Sequence, residues 1–249
     1  KQAIIDIGSN SIRLTLYETA GQSFNILFRE KIMAGLAGYV EDGKLSAEGI
    51  ECACSGLLTF RSILQTLAIE HISIFATASL RNISNTEQAL SVIRAATGYC
   101  VEVLSGEEEA LLGYAGAMQE LHLSSGAFLD IGGASTEIVT FDCGKPVDYA
   151  SFPIGSLNLY RRCVKKILPG VGSLKRLRQE IARAIDAEEC DLPACPLMVG
   201  VGGTARAVFK LARHYYGLSD ECHSVTVEQL NDLCAFLCSE KKAASDLIL

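Results

Sequence analysis

The order of hydrophobic and polar positions along the chain predicts two similar sets of secondary-structure elements. Alternating apolar and polar residues predict strands, and apolar residues spaced three and four apart predict helices. Ser84 and Glu87 fit a capping box at the start of one helix, and Gly98 fits its end. The first set comprises strands within 2–18 and over 23–32, a helix over 46–67, a strand over 72–77, a helix over 84–98, a strand over 100–104 and a helix from Ser105.

The second set follows the stretch "MQELHLSSG" (118–126) and repeats the order of strands and then helices. A repeat of this length is too long for a solenoid and indicates two similar domains. We therefore expect an α/β protein with domains at 1–120 and 121–249 and a boundary near 118–126. The second set comprises strands over about 126–131, 136–141 and 147–152, helices over about 156–167 and 173–187, a strand over 196–201, a helix from Thr204 and a last helix over 226–240.

The composition describes a globular protein with a substantial core, because 49% of the 249 residues are hydrophobic and 20% are charged. No apolar run approaches the roughly 18 residues of a membrane span. The chain opens on Lys1, so we expect that preceding residues have been removed. None of the ten cysteines forms a C-x-x-C pair, which favours reduced, structural thiols in a cytoplasm. The histidines lie outside every motif and are assigned to surface or packing roles: His71, His122, His214 and His223.

Positive charge is concentrated in one stretch of a chain whose net charge is −7. Residues 161–183 carry eight Lys or Arg and one acid, a local charge of +7, which leaves −14 for the rest. The stretch is either the solvated face of two helices or a docking strip for a polyanion. The residues assigned to docking are Arg161, Arg162, Lys165 and Lys166.

Two stretches share a pattern of strand, aspartate, glycine-containing turn and strand: "IIDIGSNSIRLTLYE" (4–18) and "LDIGGASTEIVTF" (129–141). Successive amides in such a turn can surround a phosphate, and each preceding acid, Asp6 or Asp130, can hold Mg²⁺ or its waters. One copy alone would be an ordinary hairpin. Two matched copies predict two phosphate loops facing one cleft, with residues Gly8, Ser9, Asn10 and Ser11 in the first and Gly132, Gly133, Ala134 and Ser135 in the second.

With further motifs in order, the chain resembles the exopolyphosphatase/guanosine pentaphosphate phosphatase family of the actin/hexokinase/Hsp70 superfamily. The resemblance implies two ribonuclease H-like domains, as in actin-like ATPases, with an active cleft between them. Ala134 replaces a usual glycine, and the chain ends at "SDLIL", where family members continue with a strand and a helix. The motifs are Asp6–Ser11, Thr77–Arg81, Ser105–Ala110, Asp130–Glu137, "FPIGSLNL" (152–159) and "VGVGGTARAV" (199–208).

The resemblance also assigns roles to single residues. Glu108 and Glu107 fit the start of a helix capped by Ser105. Glu109 matches the family's catalytic glutamate, and we expect it to act as general base. Arg81 matches the family's phosphate-binding arginine, although a plain surface arginine is the alternative.

Two further candidate sites, Glu137 and the helix start at 202–204, each have two interpretations. Glu137 alternates with Ile138 and is either a solvent-facing residue or, by the resemblance, a metal or water ligand. Gly202, Gly203 and Thr204 open a helix whose start suits an anion or a close helix–strand crossing.

The resulting hypothesis is hydrolysis of a terminal phosphoanhydride by water, assisted by Mg²⁺. Inorganic polyphosphate is the first-choice substrate because the basic stretch could hold a chain, and guanosine pentaphosphate is the second. The rival functions are a sugar or carboxylate kinase and a non-catalytic nucleotide sensor of the same superfamily. We expect neither nucleic acid nor a membrane as partner, and a homodimer as the candidate assembly.

Overall fold

A computed structural model describes residues 1–21, 23–165, 169–188, 190 and 192–239. Its contacts divide the chain into two compact units, Lys1–Leu112 with Gly133–Ser135, and Gly113–Gly132 with Thr136–Leu249. The α/β prediction with mixed sheets is confirmed. The domain limits near 118–126 and the cleft stay predictions.

The first unit is built on a five-stranded sheet in the order β3-β2-β1-β6-β7. The first three strands form an antiparallel meander, and β6 and β7 run parallel to β1. The elements are β1 (Gln2–Ile7), β2 (Ile12–Ala20), β3 (Ser23–Ile32), a 3-10 turn (Leu36–Tyr39), β4 (Val40–Glu41), β5 (Lys44–Leu45), α1 (Ala47–Thr66), β6 (His71–Ala76), α2 (Ala78–Arg81), α3 (Thr86–Thr97), β7 (Glu102–Val103) and the first part of α4 (Gly106–Met118). The residues of α4 from Gly113 on belong to the second unit.

Alternation along β1 separates a buried face from a half-buried one. Ala3, Ile5 and Ile7 are fully buried in the main core, which also contains apolar residues of α1 and α3. Helix α1 packs closely on the sheet, since a Cβ at Gly56 would lie 2.9 Å from Ile12 Cδ1. The core of this unit therefore lies on the face of the sheet opposite to Asp6.

The start of α3 differs from the prediction. The helix begins at Thr86, and its N-cap is Asn85 rather than Ser84. Both the amide and the hydroxyl of Ser84 donate to the Gly43 carbonyl, at 2.7 and 3.2 Å. The capping box of Ser84 and Glu87 is therefore wrong, because a tertiary contact takes the serine, whereas Gly98 ends the helix as predicted.

The second unit repeats the plan on a four-stranded sheet in the order β10-β9-β8-β11. Strands β8, β9 and β10 are antiparallel, and β11 runs parallel to β8. The elements are β8 (Gly126–Ile131), β9 (Thr136–Asp142), β10 (Lys145–Phe152), α5 (Ser156–Cys163), α6 (Val171–Ala187), β11 (Met198–Val201), α7 (Gly202–Tyr216) and α8 (Val227–Ser239).

This second sheet has apolar contacts on both faces. On one face, the Tyr114 ring of α4 lies 6.3 Å from the ring of Phe128 and 5.3 Å from that of Phe141. On the other, Ala150 and Phe152 form a cluster with residues that follow β10. Alternation along β9 therefore does not separate core from solvent.

The structure also bears on what the composition predicted about membrane spans, cysteines and histidines. No helix in the described ranges combines the length and apolar character that a bilayer crossing requires. All ten cysteines are free thiols; Cys54 and Cys163 are buried and three others are exposed. The four histidines are all exposed, as a surface assignment requires.

The hydroxyl of Tyr114 is buried and has no hydrogen-bond partner among the described residues, and burial raises the pKa of Tyr114. A buried, unsatisfied hydroxyl costs stability. We therefore expect Tyr114→Phe to leave the melting temperature unchanged or to raise it, by roughly 2–4 °C for each kcal/mol gained. Tyr216→Phe is the control, because its hydroxyl donates to the Gln229 carbonyl at 2.9 Å. That variant should melt earlier, and an early-melting Tyr114→Phe would contradict the assignment.

Candidate active site

The three glutamates at the start of α4 have different surroundings. The Ser105 amide donates to Glu108 Oε2 at 2.8 Å, and the Glu108 amide donates to Ser105 Oγ at 3.1 Å. This reciprocal pair is the predicted capping box. The backbone hydrogen bond from Ser105, followed by the one from its side chain, lowers the pKa of Glu108. Glu108 thus has a structural partner at the helix end.

Glu109 is paired with Arg81. The Arg81 guanidinium donates through Nη1 to Glu109 Oε2 at 2.7 Å, and the same nitrogen donates to the Leu104 carbonyl at 3.0 Å. Both side chains are largely shielded, with 18% and 22% of their surfaces exposed. The first unit therefore brings the predicted base and the predicted phosphate-binding arginine together, and Arg81 is not a plain surface residue.

The first loop is held through its carbonyl groups. The Ser9 carbonyl accepts from the Ala37 amide and the Asn10 carbonyl from the Gly35 amide, each at 2.9 Å. In a trans peptide the N–H points opposite to the C=O. The amides of Asn10 and Ser11 therefore point away from the segment that follows β3, as an anion nest requires.

The first amide and the last carbonyl of this loop form a hydrogen bond within the turn. The Gly8 amide donates to the Ser11 carbonyl at 3.0 Å and so closes the hairpin. Ser9 and Ser11 are buried, and Asn10 is exposed. Asn10 is thus the loop side chain that a ligand could reach first.

The second loop is anchored in the same manner by the segment after its third strand. The Ser156 amide and the Ser156 hydroxyl both donate to the Gly132 carbonyl, at 2.9 and 3.0 Å. The Gly133 amide therefore points away from α5. Thr204 Oγ1 contacts Ser156 Oγ at 3.2 Å, which joins the starts of α5 and α7. Ser156 lies in the motif "FPIGSLNL" (152–159), from which no role for it was predicted.

Two acids share one face of the second sheet. Asp130 pairs with Glu137 in the register of β8 and β9, and Glu137 pairs with Ser151 of β10. Ser151 Oγ donates to Glu137 Oε1 at 3.0 Å. Only 2% of Glu137 is exposed, so the solvent-facing interpretation is wrong. Its face of β9 is the one that carries Val139 and Phe141, and that face is covered as well.

The first sheet has a different residue at the matching position. Asp6 pairs with Arg13 in the register of β1 and β2, seven residues later, as Asp130 pairs with Glu137. Arg13 Nε donates to Ser11 Oγ at 3.2 Å. The duplicated hairpins therefore place an aspartate opposite an arginine in the first copy and an aspartate opposite a glutamate in the second.

The start of α7 lies against one of these acids. Gly202 has a φ of +82°, and a Cβ on it would lie 2.5 Å from Asp130 Oδ1. Both the backbone and the close carboxylate require glycine at this position. At Gly203, by contrast, a Cβ would meet no described atom within 4 Å.

The basic stretch includes the end of α5 and most of α6, two helices that contact each other. Its one acid, Glu180, accepts from Arg162 at 2.6 Å and from Arg183 at 2.9 Å. Arg161 and Lys165 are exposed. Lys166 lies outside the described residues. With eight Lys or Arg and one acid, the strip has a positive potential despite these ion pairs.

Comparison with known proteins shows the family of this chain. The family model of the Ppx/GppA phosphatase family matches residues 15–247. The chain belongs to the Ppx/GppA phosphatase family. The Aquifex aeolicus member of this family has a solved structure that is 25% identical, covers 98% of this chain and 81% of its own, and has a TM-score of 0.72.

Two further solved structures share the fold. An exopolyphosphatase from Cytophaga hutchinsonii is 22% identical over 94% of this chain and 78% of its own, with a TM-score of 0.73. An exopolyphosphatase-like protein is 22% identical over 98% of this chain and 80% of its own, with a TM-score of 0.81. The family resemblance predicted from the motifs is confirmed.

The contact between Gly202 and Asp130 can be tested by two glycine substitutions. Gly202→Ala should force the Asp130 carboxylate aside and lower phosphatase kcat roughly 10–100-fold. Gly217→Ala should keep a kcat close to wild type, because Gly217 also has a positive φ, of +62°, but its added methyl group meets open space. Rates per folded molecule and melting curves would be measured for both. Equal losses at the two glycines would show that the Asp130 contact does not matter.

Proposed function

We propose that this protein is an exopolyphosphatase, which removes the terminal phosphate of inorganic polyphosphate by attack of water. The observation that carries the proposal is the pair formed by Arg81 and Glu109. It joins a carboxylate able to accept a proton from water with a cation able to bind phosphate oxygens. Membership of the Ppx/GppA phosphatase family supports phosphoanhydride hydrolysis as the reaction class.

Glu109 is the general base in this proposal. Glu108 is engaged in the capping box, whereas the Glu109 carboxylate lies beside the arginine. The proposed base and the proposed phosphate-binding cation therefore lie within hydrogen-bond distance of each other. As substrate binds, the Arg81 guanidinium can bind oxygens of the terminal phosphate and stabilise developing charge.

A divalent cation, Mg²⁺ by preference, fits the acids of the second sheet. Like charges directly opposite each other on neighbouring strands are destabilising, and a cation between them offsets the repulsion. Asp130 and Glu137 are such a pair, and Mg²⁺ commonly binds one or two carboxylates plus phosphate oxygens. Asp6 is the further candidate ligand. The described residues contain no group of three His, Cys, Asp or Glu suited to a metal. A bound cation would neutralise phosphate oxygens.

The loops and the basic strip would hold the rest of the substrate. Backbone amides of the two glycine loops and the start of α7 at Gly202–Thr204 suit phosphate oxygens. The exposed Arg161 and Lys165 suit a long polyanion more than a single nucleotide. This charge is the feature that favours polyphosphate over guanosine pentaphosphate.

The direct test compares phosphate release from polyphosphate, guanosine pentaphosphate and ATP with the same protein. We expect the highest kcat/KM on polyphosphate. Preference for guanosine pentaphosphate would replace the proposed substrate within the same reaction class. Transfer from ATP to an acceptor would indicate a kinase, and binding without turnover a sensor.

The assignment of the base is tested by two neighbouring glutamates. Glu109→Gln should lower kcat by about 10²–10⁴, because the amide cannot accept the proton of water. Glu108→Gln should keep its activity, since glutamine also closes a capping box. Steady-state rates and melting curves decide, and comparable losses from both variants would rule out Glu109 as the base.

The basic strip is tested by reversing two exposed charges. Arg161→Glu with Lys165→Glu should raise KM for long polyphosphate and leave guanosine pentaphosphate nearly unchanged. The effect should shrink with added salt, because exposed charges are screened over about 10 Å at 0.1 M. Lys145→Glu with Lys210→Glu is a control with the same change of net charge. Equal changes of KM in the two double variants would show that the strip is a solvated surface and not a docking site.

A further inference from the structure

Ser79 is a buried residue for which the proposed function has no use. Only 4% of it is exposed, and its hydroxyl donates to the Ile7 carbonyl at 2.6 Å across 72 residues of sequence. Ile7 is the last residue of β1, between Asp6 and Gly8. Ser79 lies in α2, two residues before Arg81. This hydrogen bond therefore joins the end of the first phosphate loop's strand to the helix that carries the arginine.

Helix α2 depends on such tertiary contacts for its position. It has four residues, far fewer than a helix needs to be stable alone. In the described chain its N-cap, Thr77, makes no side-chain capping bond. The far end is held by Thr86, whose hydroxyl donates to the Leu80 carbonyl at 2.6 Å. Ser79 holds the near end to β1.

We propose that Ser79 is a positioning residue for phosphate hydrolysis, which fixes Arg81, and through it Glu109, relative to the first phosphate loop. The inference rests on the proposed function, since it acts through the Arg81–Glu109 pair. Loss of the hydroxyl leaves the buried Ile7 carbonyl without this donor and releases α2 from β1. A shift of about 1 Å in a catalytic group can cost up to about 100-fold in rate.

The matched control is Thr97, another buried hydroxyl of the same unit. It is 1% exposed and donates to the Ile93 carbonyl at 2.7 Å within α3. Ser79→Ala and Thr97→Ala should both lower the melting temperature. Only Ser79→Ala should lower kcat per folded molecule, by roughly tenfold or more, with a smaller change in KM. Equal kcat in the two variants would overturn the proposal.

Ser79→Cys is a second variant, which tests the proposal even if Ser79→Ala does not fold. Cysteine keeps nearly the size of serine and is a weaker donor. It should fold and still show a reduced kcat. A folded Ser79→Cys protein with full kcat would contradict the positioning role.

A double-mutant cycle tests the route of the effect. If Ser79 acts through Arg81, Ser79→Ala should cause little further loss of kcat in an Arg81→Ala background. A loss that simply adds to that of Arg81→Ala would show that Ser79 does not work through the arginine.

Hydrogen exchange separates this proposal from the proposed function. The amides of Gly8, Arg81 and Asn82 donate to backbone carbonyls, and they should exchange faster in Ser79→Ala and stay as in wild type in Thr97→Ala. A wild-type protein without phosphate release would refute the proposed function, and the exchange experiment would still test the contact. Unchanged exchange in Ser79→Ala would refute the positioning role, whatever the wild-type rate.

Discussion

The candidate site of the first unit depends on the hydrogen-bonded ion pair between Arg81 and Glu109. Arg81 Nη1 lies 2.7 Å from Glu109 Oε2. The rest of the first unit maintains that distance. The capping box fixes the start of α4, and the Leu104 carbonyl orients the guanidinium. Ser79 and Thr86 fix the short helix from which the arginine extends. The candidate base, its counterion and the residues that hold them thus come from four segments, which are β1, α2, the start of α3 and the start of α4.

The two units hold their glycine loops in the same way. In each unit the loop after the first strand is held by its carbonyl groups, and the donors come from the segment after the third strand. The amides are thereby directed to the opposite side, where an anion would bind. The copies differ at the position facing the aspartate. Arg13 faces Asp6 in the first hairpin, and Glu137 faces Asp130 in the second. Two hairpins of one fold therefore carry opposite charges at matching positions.

Local signals were readable from the sequence, and contacts between distant segments were not. The Ser105–Glu108 capping box and the Gly98 helix end were predicted because their residues lie within a few positions of each other. Ser84 was assigned wrongly because a distant carbonyl, that of Gly43, competes for it. Glu137 was left with two interpretations because alternation cannot show that both faces of a sheet are covered. Ser79 and Ser156 were missed as supports because their partners lie 72 and 24 residues away. Arg81 and Glu109 were found separately, and only the structure pairs them.

The central claim is that water, activated by Glu109, attacks the terminal phosphorus of a polyphosphate chain. The most direct measurement is hydrolysis in ¹⁸O-labelled water, followed by mass spectrometry of the products. The account predicts one ¹⁸O atom in each released orthophosphate and none in the shortened chain. Unlabelled orthophosphate, with one ¹⁸O atom at the new end of the chain, would place the attack of water on the penultimate phosphorus. That result would contradict the account.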